Sequence, residues 1–108
     1  MKLYVGGVYQ GQEELARAEN PGAVILADFH ETVRAAVGRG EDPREYARRV
    51  CREQPDAVVV ANEVGSGVVP VDAAERAFRE AVGRALCVIA QNAASVTRAV
   101  CGIGVRIK

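Results

Sequence analysis

The chain has 108 residues, of which 49% are hydrophobic and 26% charged, with 14 Lys plus Arg against 14 Asp plus Glu. A length of this order makes one domain, residues 1–108, with a core of its own. The balanced charge removes the basic field that would draw nucleic acid or an acidic membrane, and three Tyr, two Phe and no Trp offer no base-stacking platform.

No apolar run approaches the roughly 20 residues that a bilayer span needs, and Met1-Lys2 leads straight into a strand pattern. A cytoplasmic protein that binds no membrane is the expectation. Cys51, Cys87 and Cys101 are odd in number and outside the spacing of a CxxC motif, so they read as buried, reduced thiols.

Leu3 to Val5 is a short apolar strand, followed by the glycine loop Gly6-Gly7-Val8-Tyr9-Gln10-Gly11 and a helix from Gln12 to Ala18. Asn20-Pro21-Gly22 is a turn by composition. Ala23-Val24-Ile25-Leu26-Ala27 then reads as a second buried strand that ends at Asp28. Val33, Ala36 and Val37 repeat at helical spacing, which predicts a helix from Glu31 to about Val37, stopped by Gly38 and Gly40.

Asp42-Pro43 has the form of an N-cap with Pro at the first helical position, and Tyr46, Ala47, Val50 and Cys51 mark one face of the helix that follows. Pro55 ends it. Asp72 caps a long predicted helix from Ala73 to Asn92, with Ala74, Ala77, Phe78, Ala81 and Val82 forming a stripe continued by Ala85, Leu86, Ile89 and Ala90. Val96 to Cys101 and Ile103 to Ile107 flank Gly102 and predict a terminal antiparallel pair, the last strand being a half-exposed edge with Arg106 and Lys108 facing out. Strands alternating with helices imply a three-layer α/β domain with a mostly parallel sheet.

The stretch Val58-Val59-Val60-Ala61-Asn62-Glu63-Val64-Gly65-Ser66-Gly67-Val68-Val69-Pro70 changes abruptly from apolar to polar and glycine residues. A continuous Val run suits a strand buried on both faces. Asn62 and Glu63 then fall at its carboxyl end, where open α/β sheets place ligands. Gly65 and Gly67 allow a sharp turn or a close ligand approach; a loop shaped only for folding is the competing reading.

Three blocks carry a family resemblance: Asn62 to Pro70, Phe78-Arg79-Glu80-Ala81-Val82-Gly83-Arg84, and Cys101-Gly102-Ile103-Gly104-Val105-Arg106-Ile107-Lys108. In order and approximate spacing they resemble the carboxyl half of the adenosylcobinamide kinase/adenosylcobinamide-phosphate guanylyltransferase family (CobU type), of which this chain looks like a shortened, divergent member. The resemblance implies a P-loop, RecA-like α/β fold with a C-terminal antiparallel hairpin and a place in cobalamin biosynthesis. It also implies Mg with ATP or GTP as cofactors, a cobinamide-type ligand or nucleotide as partner, and a homo-oligomer.

The family's phosphate loop reads Gly-Gly-x-x-Ser-Gly-Lys-Ser, and Gly6, Gly7, Gly11, Gln12 and Glu13 occupy that place here. Lys and the hydroxyl residue, which would grip phosphate and magnesium, are replaced by a neutral amide and a carboxylate. A pair of charges about 4 Å apart is worth around 4 kcal/mol at a dielectric near 20, whereas a helix terminus contributes only about 0.3–1 kcal/mol. The exchange argues against conventional Mg–ATP binding, and Glu13 is expected to cap its own helix.

Asp28 resembles the acid ending a Walker B segment, a metal or water contact, with a helix cap as the alternative. The family's guanylylated His has no counterpart, since Asn20-Pro21-Gly22 replaces the segment that bears it. His30 lies elsewhere and reads as an ordinary, partly exposed His at a helix start. Gly83 and Arg84 are kept, implying close helix packing and an anion or subunit contact, while Leu86-Cys87 stands where the family has Asn-Gln and reads as core-like.

Two functional expectations follow. One is a catalytically degraded member acting in binding, regulation or assembly, including mixed oligomers with a full-length relative, through Asn62, Glu63, Gly65, Gly67 and Arg84. The other is an active transferase with a rearranged site, using Glu63 or Asp28 as base and metal ligand and Arg84 or a partner's Arg for positive charge.

Overall fold

The computed structural model describes residues 1–63 and 72–108. Gly65 and Gly67 therefore lie outside the described residues. The elements are β1 (Lys2–Gly6), α1 (Gln12–Glu19), β2 (Ile25–Leu26), α2 (Phe29–Gly38), α3 (Pro43–Glu53), β3 (Val58–Asn62), α4 (Ala73–Asn92), β4 (Ser95–Val100) and β5 (Ile103–Arg106). They form one sheet in the order β2-β3-β1-β4-β5, parallel except for the antiparallel β4–β5 pair. This is the expected mostly parallel α/β domain of P-loop type with its C-terminal hairpin.

The two central strands are buried because their side chains alternate between two cores. Leu3, Val5, Val59 and Ala61 face α2, α3 and α4, and pack on Phe29, Val33, Ala47, Val82, Ala85 and Ile89. Tyr4, Val58 and Val60 face α1 and pack on Ala16, with Leu15 and Ile25 at the margin. A fully buried aliphatic side chain of this kind contributes about 1.5–3 kcal/mol, so β1 and β3 are the rigid centre of the domain.

Local chemistry sets the helix starts. Asp42 Oδ1 accepts from Arg44 N and Glu45 N with Pro43 at the first position, and Asp72 Oδ1 accepts from Ala74 N. Both caps match the sequence. Helix α2 begins at Phe29, two residues before the predicted Glu31, because Phe29 and His30 turn into the core.

Several expectations are corrected. The predicted buried strand 23–27 is only the two-residue, half-buried β2, since it lies at the sheet edge and pairs only with β3 among the described residues. In α4, Ala74 and Ala77 are exposed, and Val88, absent from the predicted stripe, is buried. Strand β5 is exposed along its whole length, at the edge of the sheet, although Leu15 of α1 reaches Gly104. Cys87 and Cys101 are exposed and Cys51 half-buried, all as free thiols, so burial of the three cysteines does not hold. Cys87 is accordingly not core-like. Gly83 is exposed, and a Cβ there would meet nothing within 4 Å, so close packing does not explain it.

Tyr4 ties β1 to α1: its hydroxyl donates to Glu19 Oε1 at 2.6 Å and accepts from Asn20 Nδ2 at 3.1 Å. Burial, and then the hydrogen bond to Glu19, raise its pKa above the usual value near 10. A raised folded-state pKa gives stability that is complete below the unfolded value and lost as pH rises through the folded one. In a spectrophotometric alkaline titration Tyr4 should therefore ionise above the usual tyrosine range, with unfolding accompanying it, and Tyr4→Phe should abolish that step.

Candidate functional site

Strands β1 and β3 run side by side in register, with Gly6 opposite Asn62. The loop after β1 and the residues after β3 therefore emerge together at the carboxyl edge of the sheet. Glu63 N donates to Gly6 O at 2.8 Å, which continues the ladder one residue past β3. Gly6 is required by close approach, since a Cβ would fall 2.9 Å from Ala99 O and 3.0 Å from Gln12 Oε1.

At the far end of the loop Gly11 sits at φ +86°, a left-handed conformation natural to glycine, and starts α1 without a side-chain cap. Gln12 is the first helical residue and is only 6% exposed. Its Nε2 donates to Gly6 O and Gly7 O, each at 3.1 Å, and to Asn62 Oδ1 at 2.8 Å. Two amide hydrogens are shared among three acceptors, so the amide nitrogen is fully engaged inside the loop.

The other flank is tied to the β4–β5 turn. Cys101 N donates to Gln10 Oε1 at 2.7 Å and Gly102 N to Gln10 O at 2.8 Å. Between these ties Val8 and Tyr9 form the tip, with Tyr9 at φ +62° and 99% exposed.

His30 closes the network from beneath. It is only 7% exposed, and its Nδ1 accepts from Asn62 N at 3.1 Å. That bond assigns the neutral tautomer with hydrogen on Nε2, which lies 3.8 Å from Glu31 Oε1. The ring nitrogen facing Asn62 has its lone pair committed, so His30 positions Asn62. The expected partial exposure is corrected: Phe29 and His30 enter the core together.

Glu13 does not cap α1; its Oε2 lies 3.1 Å from Arg17 Nε, one turn on. Asp28 occupies the N-cap position of α2 in a left-handed conformation, φ +52°, and makes no side-chain cap bond. The capping reading of Asp28 is thereby overturned. Asp28 instead joins Tyr9, Gln12, Glu13, Glu14 and Asn62 around a cleft of about 310 Å³. Among the described residues no group of three or more His, Cys, Asp or Glu is placed to hold a metal ion.

Glu63 Oε1 lies 3.4 Å from Arg98 Nε of β4. The structure thus gathers Gly6, Gly7, Gly11, Gln12, Glu13, Asp28, Asn62 and Glu63 at one end of the sheet. Arg84 is elsewhere: it lines a cleft between α3 and α4, 3.5 Å from Glu80. Sequence reasoning missed His30, Gln10 and Arg98 as parts of this end. Only the placement of His30 two residues after Asp28 hinted at its part.

A glycine loop joining β1 to α1, set beside a strand that ends in Asn62-Glu63, defines a P-loop-like α/β protein. The profile of the family described as cobinamide kinase / cobinamide phosphate guanyltransferase matches residues 23–107, and the chain belongs to that family. It is 33% identical over 121 residues to the bifunctional adenosylcobalamin biosynthesis protein CobU of Escherichia coli (strain K12), covering 93% of this chain and 67% of the relative. It is 46% identical over 69 residues to the protein of the same description from Salmonella typhimurium (strain LT2), covering 63% of this chain and 38% of the relative. Among the described residues no helix is long and apolar enough to cross a membrane.

The role of His30 is testable. His30→Leu leaves Asn62 N–H without its acceptor and should cost about 1–3 kcal/mol in urea unfolding. His30→Gln, which retains an acceptor oxygen, should lose less. Equal losses would contradict a hydrogen-bonding role.

Proposed function

We propose that this chain is a binding member of the cobinamide kinase/guanylyltransferase family, serving cobalamin biosynthesis as a ligand-binding, regulatory or assembly protein without phosphoryl transfer. The observation that carries this reading is the inward turn of Gln12, whose amide is spent on Gly6 O, Gly7 O and Asn62 Oδ1. Those contacts close the loop on itself where a phosphate-binding loop would present amides and a cation to its ligand.

The residues present do not fit a magnesium nucleotide triphosphate held in the family manner. The side chain in the Lys position is neutral and internally bonded, and the one in the hydroxyl position is a carboxylate paired with Arg17. Glu13, Glu14 and Asp28 line the adjoining cleft, which adds repulsion toward any phosphate placed there.

Asn62 and Glu63 stand at the same end of the sheet as this cleft, and we assign them the ligand contact, with a cobinamide-type molecule as the ligand class. One observation favours the alternative of an active transferase: Arg98 sits beside Glu63 and would supply positive charge that the loop lacks.

Calorimetry with adenosylcobinamide, its phosphate, ATP and GTP separates the two. Binding of a cobinamide species without turnover, weakened about ten- to a hundredfold by Asn62→Ala through loss of about 1.4–2.8 kcal/mol, is the expected result. Transfer of radiolabelled γ-phosphate or of a guanylyl group to cobinamide would reject the binding-only reading.

A further inference from the structure

The cleft between α3 and α4 shares no residue with the one beside the glycine loop. It encloses about 610 Å³ and is lined by Arg44 and Arg48 of α3 and by Glu80, Gly83, Arg84 and Cys87 of α4. Arg44 and Arg48 are four residues apart, so both project from one helix face. Arg52 continues that row into the next recess, which Arg48 also lines. In a chain whose formal charges cancel, three guanidiniums here face one lining carboxylate.

These cations are weakly committed. Arg84 Nη2 lies 3.5 Å from Glu80 Oε2, and Arg48 pairs with Glu45, all four side chains being substantially exposed. Exposed pairs of this sort contribute little and exchange readily for a better anion. The Arg44 guanidinium has no hydrogen-bonding or ionic partner among the described residues. Gly83 is exposed on α4 beside the buried Val82, and a Cβ there would meet nothing within 4 Å. Its missing side chain leaves the wall between Arg84 and α3 open. Planar guanidinium forks lining one cleft from two helices match the oxygens of a phosphate chain.

We propose that the α3–α4 cleft is an anion site that holds the di- or triphosphate chain of a small molecule between Arg44 and Arg48 on one side and Arg84 on the other. The site is independent of the Asn62 end of the sheet. Its ligand makes no demand on the glycine loop.

Cys87, exposed in the same cleft, reports occupancy, and Cys101, exposed beside the glycine loop, serves as reference. The full chain is alkylated with iodoacetamide in the presence of sodium tripolyphosphate or magnesium-free ATP, and each cysteine is followed by peptide mass spectrometry. Ligand at about ten times its Kd should slow Cys87 about tenfold and leave Cys101 unchanged. Arg44→Gln combined with Arg84→Gln, both exposed positions, should remove the protection while the circular dichroism spectrum is retained. Equal protection by the two probes assigns recognition to the phosphate chain alone, and stronger protection by ATP adds a nucleoside contact; both outcomes support the site. An unchanged Cys87 rate, protection that survives in the double variant, or slowing of Cys101 in place of Cys87 would overturn it.

Discussion

The hydrogen bond from Gln12 Nε2 to Asn62 Oδ1, 2.8 Å long across 50 residues of sequence, is the contact on which this end of the molecule depends. It joins the first turn of α1 to the last residue of β3. The same amide nitrogen holds the carbonyls of Gly6 and Gly7, and His30 fixes the backbone of Asn62 from the other side. Remove the amide and Gly7 O and Asn62 Oδ1 lose a half-buried donor at once, while Gly6 O keeps the bond from Glu63 N. Leaving such groups unpaired costs about 1–3 kcal/mol each when water cannot replace the donor. That is large beside the total stability of a domain of this size, about 5–15 kcal/mol.

The sheet makes this contact possible. Parallel pairing of β1 with β3 brings Gly6 to Asn62, and pairing of β1 with β4 brings Gly6 to Ala99. A loop leaving the central strand is thus flanked by a strand on each side, and Gln10 fastens it to the β4–β5 turn. The result is a glycine loop held at both flanks and exposed at Tyr9. In phosphate-binding loops, amides and a cation converge on the ligand; here an amide side chain fills the interior and carboxylates line the adjoining cleft. The loop's own residues, Gly6 to Glu13, include no Lys or Arg.

Much of the fold was legible because its signals were local. The Val58–Ala61 run, the caps at Asp42 and Asp72, the long α4 and the turn at Gly102 each follow from a few adjacent residues. What was not legible depended on partners far away in sequence. Residues 23–27 look like a buried strand, but edge position limits them to Ile25–Leu26. Cys87 lies on a helix and among apolar neighbours, yet faces the open cleft between α3 and α4. Gly83 appeared to permit close packing and has empty space instead.

The site divided in the same way. Asn62 and Glu63 were evident from the break after an apolar strand, and Gln12 from its place in the glycine loop. That Gln12 reaches Asn62, or that a solitary His is buried beneath both, follows only from the order of strands. A double-mutant cycle tests the central claim most directly. Gln12→Leu, Asn62→Leu and the combined variant are unfolded in urea, and the coupling between the positions is extracted. A closed loop predicts a coupling of about 0.5–3 kcal/mol, with the double variant losing less than the sum of the singles. Additivity within about 0.3 kcal/mol would contradict it and leave the loop open to an outside ligand.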